Sequence, residues 1–135
     1  MTDATVLLVE DNEGDIVLTT EALQQAGISR MDVVRDGQEA IDYLENTLTM
    51  PRLVLLDINL PKIDGLEVLA LIKQSPRWRS IPVIILTTSS SERDIETAYD
   101  SHANCYVVKN PDLESFMKVM HNLRIFWFET VKLPE

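Results

Sequence analysis

Four apolar runs in this chain each end in a residue able to bind a cation or a phosphoryl oxygen. Thr5-Val-Leu-Leu-Val leads to Glu10 and Asp11, and Leu53-Val-Leu-Leu leads to Asp57. Pro82-Val-Ile-Ile-Leu leads to Thr87, and Cys105-Tyr-Val-Val leads to Lys109. Carboxylates are hard oxygen donors of the kind Mg2+ takes one or two of while keeping several waters. Three that converge repel one another, by about 4 kcal/mol for a pair about 4 Å apart at an effective dielectric of about 20, and a cation relieves this. A carboxylate beside Mg2+ can attack phosphorus and form an aspartyl phosphate. Lys109 and Thr87 then offer an ammonium and a hydroxyl to the transferred group, and positioning with electrostatics carries most of such catalysis. No general base is required, because the carboxylate is already ionised. Neither His102 nor His121 belongs to a ligand-spaced pair, which argues against zinc.

Each residue alone has a plainer reading. A strand-end aspartate usually caps a helix, a strand-end lysine is usually a solvated charge, and a strand-end threonine is usually structural. Glu10-Asp11 before Asn12 reads equally as a turn. The chemical reading gains its weight from all these groups ending the first, third, fourth and fifth strands of one sheet.

Runs of four or five aliphatic residues leave no polar face, so each of the four reads as a buried parallel strand. Met31-Asp-Val-Val-Arg35 is a shorter fifth candidate, second in chain order. Helical spacing fills the gaps. Leu18, Ala22, Leu23 and Ala26 mark a first helix closed by Gly27. Ala40, Ile41 and Leu44 mark a second, and Gly65, Val68, Leu69 and Ile72 a third. Ile95, Ala98, Tyr99 and His102 share a face of a fourth, for which Ser91-Glu-Arg-Asp94 can act as a capping box. Leu113, Phe116, Met117, Met120 and Leu123 stripe a fifth behind an Asp112 cap. Strand and helix alternate five times, which predicts an α/β, doubly wound, five-stranded parallel sheet in the order 2-1-3-4-5 with five helices. Glu10, Asp11 and Asp57 then flank the switch point where such sheets bind ligands.

The 135 residues suit a single domain with a real core. No apolar stretch approaches a membrane span, and Met1-Thr-Asp-Ala-Thr5 lacks the pattern of a signal peptide. The one cysteine, Cys105, excludes an internal disulfide and reads as an inert strand thiol, so a cytoplasmic location is expected. Acids outnumber bases 22 to 12, for a net charge of −10, which argues against nucleic-acid binding and is compatible with a divalent cation.

Over nearly its whole length the sequence resembles a response-regulator receiver domain. The resemblance is carried by Leu7-Leu-Val-Glu-Asp-Asn12, Leu55-Leu-Asp-Ile-Asn-Leu-Pro61 with Asp64-Gly65, Leu86-Thr-Thr-Ser89 and Tyr106-Val-Val-Lys109. It implies the flavodoxin-like receiver fold and phosphorylation of Asp57 by a cognate histidine kinase or phosphotransfer protein. It implies Mg2+ bound by Asp11, Asp57 and the backbone carbonyl of Asn59, with Glu10 assisting through water. It assigns Thr87 and Lys109 to the phosphoryl oxygens, and Thr87 and Tyr106 to a conformational switch. One departure stands out, because receivers usually place proline directly after the lysine and here the order is Lys109-Asn110-Pro111.

The chain end is similar to that of small receivers serving phytochrome-type histidine kinases, best known in cyanobacteria. Asn12-Glu-Gly-Asp15, Ala103-Asn-Cys-Tyr106 and Phe126-Trp-Phe-Glu-Thr-Val-Lys-Leu-Pro134 carry that likeness. Residues 126–135 are expected to extend helix five of a single receiver domain spanning 1–135. Phe126, Trp127 and Phe128 are the candidate interface residues: one or two rings can cap the domain's own core, but adjacent rings on a helix point different ways, and an exposed one suits a dimer or partner interface. The resemblance implies a homodimer through the face of helices four and five.

Two other readings stay open. A magnesium phosphohydrolase with an aspartyl-phosphate intermediate typically needs a second aspartate two residues after the nucleophile, where this chain has Asn59. A pseudo-receiver would keep the fold as a constitutive interaction module, against which stands the full set Glu10, Asp11, Asp57, Thr87 and Lys109. A flavin or nucleotide binder is disfavoured by the acidic Asp11–Asp15 loop and the lack of a glycine-rich one.

Overall fold

The computed structural model describes residues 6–134, so Thr5 of the first run and Glu135 of the expected extension lie outside it. Strands β1 (Val6–Val9), β2 (Met31–Val34), β3 (Leu53–Leu56), β4 (Val83–Thr87) and β5 (Cys105–Val108) alternate with helices α1 (Glu13–Gln25), α2 (Gly37–Asn46), α3 (Gly65–Gln74), α4 (Glu92–Asp100) and α5 (Leu113–Ile125). All strand pairs are parallel, and the order is β2-β1-β3-β4-β5, as the alternation predicts.

Side chains alternate across a strand, so each central strand feeds two cores. Leu7, Val9, Val54, Leu56, Val83 and Ile85 pack against Ala40 and Leu44 of α2, Val68, Leu69 and Ile72 of α3, and Ala98 of α4. Val6, Leu8, Leu53, Leu55, Ile84 and Leu86 pack against Ala22 and Leu23 of α1 and Phe116, Met120 and Leu123 of α5. Each fully buried leucine or isoleucine contributes about 1.5–3 kcal/mol.

Strand β5 departs from the expectation of full burial. It pairs only with β4, so it is half-buried and Val108 is exposed. Burial depends on neighbours, and an edge strand has one fewer.

A polar side chain caps the start of each of α1 to α5: Asn12, Asp36, Asp64, Ser91 and Asp112 each accept a first-turn backbone N–H. Such caps contribute about 1 kcal/mol each. Only half of the box expected at α4 forms. Ser91 Oγ accepts the Asp94 N–H, but the Asp94 carboxylate accepts instead from the Ser89 hydroxyl at 2.6 Å. Gly27 ends α1 at φ 103°, with the Ile28 N–H returning to the Leu23 carbonyl. The same turn ends α4 at His102, φ 72°, where the Ala103 N–H returns to the Ala98 carbonyl. His102 therefore lies outside the helix face assigned to it. Leu113 likewise opens α5 facing solvent rather than joining its buried stripe. Beyond α5 the chain makes a π-helical turn over Phe126–Thr130, and residues 131–134 are irregular.

Two glycines bring backbones together where a side chain would not fit. A β-carbon on Gly65 would lie 2.0 Å from the Asp57 carbonyl oxygen, and one on Gly37 would lie 2.1 Å from that of Ile63. The Gly65 N–H also donates to the Ile58 carbonyl at 2.7 Å. The loop after β3 is thus gripped from both sides, and with it the Asp57 backbone. Gly65→Ala is expected to lower stability by about 1–3 kcal/mol, read from urea unfolding, because backbone rather than a flexible side chain must give way. An unchanged midpoint would show that the loop is free to move.

Candidate functional site

The switch point between β1 and β3 sets three acids together. One carboxylate oxygen from each of Glu10, Asp11 and Asp57 lies within 4.8 Å of the others. Glu10 is 2 % exposed and Asp57 is buried, while Asp11 sits at the open rim. The Asp57 N–H donates to the Val9 carbonyl at 3.1 Å, which continues the β1–β3 ladder up to the acid itself. Its Oδ1 accepts the Ile58 N–H at 2.7 Å. Asn59 follows in an exposed position of the same loop. An all-oxygen cluster of this size, part buried and part open, fits a hard divalent cation that keeps water on one side.

Lys109 reaches this cluster from the end of β5, across β4 and β3. Its Nζ donates to Glu10 Oε1 at 2.5 Å and to Asp15 Oδ2 at 2.9 Å, and it stands 3.5 Å from Asp57 Oδ2. The side chain is 9 % exposed. Burial works against the ammonium charge, but hydrogen bonds to Glu10 and Asp15 and the field of Asp57 outweigh it and hold the Lys109 pKa above its ordinary value. Glu10 feels the opposite balance. Burial, with the Asp57 charge adding to it, pushes its carboxyl up to about 7 although the bond to Lys109 opposes this.

Thr87 ends β4 fully buried. Its Oγ1 accepts the Ser89 N–H at 3.4 Å, and its carbonyl accepts the Lys109 N–H at 2.7 Å. Tyr106 is half-buried against the core under α4. Its hydroxyl donates to the Ser89 carbonyl at 2.9 Å, and its N–H donates to the Tyr99 hydroxyl at 3.1 Å. The loop after Thr87 is therefore stitched to β5. Downstream of Lys109, no described peptide bond is cis, and Asn110 Oδ1 accepts the Asp112 N–H to lead into α5.

Glu10, Asp11, Asp57, Thr87, Lys109 and Asn59 thus gather at the carboxyl edge of the sheet, with Tyr106 one step away. The three aromatic residues lie elsewhere. Phe126 is 49 % exposed, whereas Trp127 and Phe128 pack against the core and the Arg52 guanidinium sits 5.6 Å from the Phe128 ring. Cys105 is half-buried, and burial pushes its thiol up to about 11, as suits an inert side chain.

Sequence reasoning did not assign Asp15 and Ser89 to the site. Asp15 stands three residues after the Asn12 cap, where an acid ordinarily serves the helix start. Its carboxylate goes to Lys109 instead, a contact that only the tertiary fold creates.

The family model for the response regulator receiver domain matches residues 6–121. The chain is 43% identical over 135 residues to response regulator Rcp1 of Synechocystis sp., covering 96% of this chain and 92% of that protein. The solved structure of the phosphorylated cyanobacterial phytochrome response regulator RcpA superposes with a TM-score of 0.93 at 42% identity, covering 99% of this chain and 100% of that one. The Mn2+-bound form of Rcp1 superposes at 0.89 with 42% identity over 98% and 99% of the two chains.

The Glu10 environment makes a pH-dependent prediction. A carboxyl raised in the fold from its ordinary 4.5 to about 7 favours folding when protonated. That contribution is fully present below 4.5 and is lost as pH rises through about 7. In protein stripped of metal, Glu10→Gln should therefore gain stability relative to wild type across that window, by about 3 kcal/mol in all, and level off above it. Urea midpoints measured over the window check this. A pH-independent difference would mean that Lys109 keeps Glu10 ionised throughout.

Proposed function

The chain belongs to the response regulator receiver domain family, and from that premise we propose that it is a phosphorylation-switched signalling domain whose phosphoacceptor is Asp57. The observation that carries this reading is the Asp57 carboxylate, set among Glu10 and Asp11 and 3.5 Å from the Lys109 ammonium. Asp57 supplies the nucleophilic oxygen. An O–P bond forms to it as the P–N bond of a donor phosphohistidine breaks, and no proton need leave Asp57 because it is ionised. Lys109 neutralises one phosphoryl oxygen and the Thr87 hydroxyl donates to another. A divalent cation, Mg2+ by its donor set, would be held by Asp11, Asp57 and the Asn59 carbonyl with Glu10 assisting, and would spread the remaining charge.

The readout runs through the Thr87 loop. When the Thr87 hydroxyl turns to a phosphoryl oxygen, the Ser89 carbonyl moves with the loop, and Tyr106 must follow it or lose its hydrogen bond. Tyr106 is the switch residue in this reading, and the α4–β5–α5 face is the surface that changes.

The donor is a histidine kinase, and a phytochrome-type kinase is favoured by the likeness to Rcp1 and RcpA. Tyr99 of α4, Val108 of β5 and Leu113 of α5 are exposed apolar residues on elements of this face, as a homodimer through α4 and α5 requires. Phe126, just past α5, is likewise exposed. A net charge of −10 disfavours direct nucleic-acid contact, and among the described residues no helix is long and apolar enough to cross a membrane. A cytoplasmic setting fits these features.

Incubation with acetyl phosphate and Mg2+ should add about 80 Da to the wild-type protein and nothing to Asp57→Asn, read by intact mass. A gain in the mutant would move the phosphoacceptor elsewhere. No gain in wild type, from acetyl phosphate or from a phosphorylated phytochrome-type kinase, would favour a constitutive interaction module. Leu113→Asp should shift sedimentation equilibrium towards monomer at matched concentration, since a buried unpaired charge opposes association. An unchanged distribution would remove α5 from the interface.

A further inference from the structure

Three acids share one ammonium at the carboxyl edge of the sheet, and they do not share it equally. Lys109 Nζ bonds Glu10 at 2.5 Å and Asp15 at 2.9 Å, but stands 3.5 Å from Asp57, beyond a good hydrogen bond. We propose that Asp15 is a positioning residue that holds the Lys109 ammonium back from Asp57 and so weakens the hold of the unmodified site on a phosphoryl group. This rests on the reading of Asp57 as phosphoacceptor.

The two bonded acids differ in how readily they give up the lysine. Glu10 is 2 % exposed, so water has little access to replace the ammonium there. Asp15 is 35 % exposed, so water can replace the ammonium when it leaves. Asp15 also lies in the first turn of α1, and its backbone N–H is bonded to the Asn12 cap at 2.9 Å. The positive end of that helix favours a carboxylate whether or not Lys109 is attached. Asp15 is therefore the detachable partner and Glu10 the fixed one.

An incoming phosphoryl group brings up to two negative charges to Asp57. Lys109 has three N–H donors, of which Glu10 and Asp15 take two, and a short bond to the phosphoryl group draws the ammonium away from α1. The free energy of breaking the Asp15 contact is subtracted from that of phosphoryl binding. Removing Asp15 should thus strengthen binding. General damage to the site would weaken it, so the sign of the change separates the two.

The test is a titration with beryllofluoride, a non-hydrolysed phosphoryl mimic, at saturating Mg2+, with bound fluorine read by 19F NMR. Asp15→Asn and, as a second variant, Asp15→Ser should each bind it about threefold to fivefold more tightly than wild type, the range expected for losing one partly exposed ion pair. On a Lys109→Met background the Asp15→Asn change should have no effect. Equal or weaker binding by both single variants would overturn the proposal. So would an undiminished gain on the Lys109→Met background, which would assign the effect to charge acting at a distance. Absence of saturable binding by wild type would overturn the phosphoacceptor reading itself, and this proposal with it, from the wild-type arm alone.

Discussion

One ammonium group makes the acidic edge of this sheet tenable. Glu10 ends β1, Asp57 ends β3, and both are buried, so their charges face each other with little water between. Lys109 answers them from β5, two strands away from β3 in the sheet. Its four-carbon flexible stem carries the charge inward from the end of β5, and the side chain is only 9 % exposed. The strand order matters to the chemistry for this reason. It places Lys109 on one side of Asp57 and the carboxylates of Glu10 and Asp11 on the other.

The same arrangement divides the surroundings of Asp57 into two kinds of contact. The Asp57 backbone is held by other backbone, through the Val9 ladder bond and the bare α-carbon of Gly65. Around its carboxylate and out towards β5 the contacts are made by side chains: Glu10, Asp11 and Lys109 beside Asp57, Lys109 to Glu10 and Asp15, Thr87 to the Ser89 N–H, and Tyr106 to the Ser89 carbonyl. Side-chain bonds can be exchanged by rotation about χ angles, whereas backbone packing at 2.0–2.1 Å from a would-be β-carbon has no room to adjust.

Much of this could be read from residue order because an uninterrupted aliphatic run ending in a polar group has few structural solutions. Leu53-Val-Leu-Leu-Asp57 is buried on both faces and delivers its acid to the edge, as such a run must in a sheet covered twice. Cys105-Tyr-Val-Val looks the same on paper, yet it is half-buried, because among the described residues it lies at the sheet edge with β4 as its one neighbour. His102 and Leu113 keep helical spacing but fall at helix ends, where one turn more or less decides which way a residue faces. Gly65 was legible as part of a motif and as a small residue on a helix face, but not as a point of backbone contact. Its role is set by the distance to Asp57, and no spacing rule contains that distance. Asp15 was hidden by a local pattern that pointed convincingly to a different job.

The clamped half and the rotatable half also differ in what substitution can do to them. Changes on the outer surfaces of β5 and α5, at Val108 or Leu113, alter exposed side chains outside the acid cluster. Changes at Gly37 or Gly65 reach the Asp57 loop at once. A lineage carrying this fold can therefore rewrite these outer surfaces by ordinary drift, whereas at Gly37 and Gly65 any added side chain forces the backbone after β3 to move.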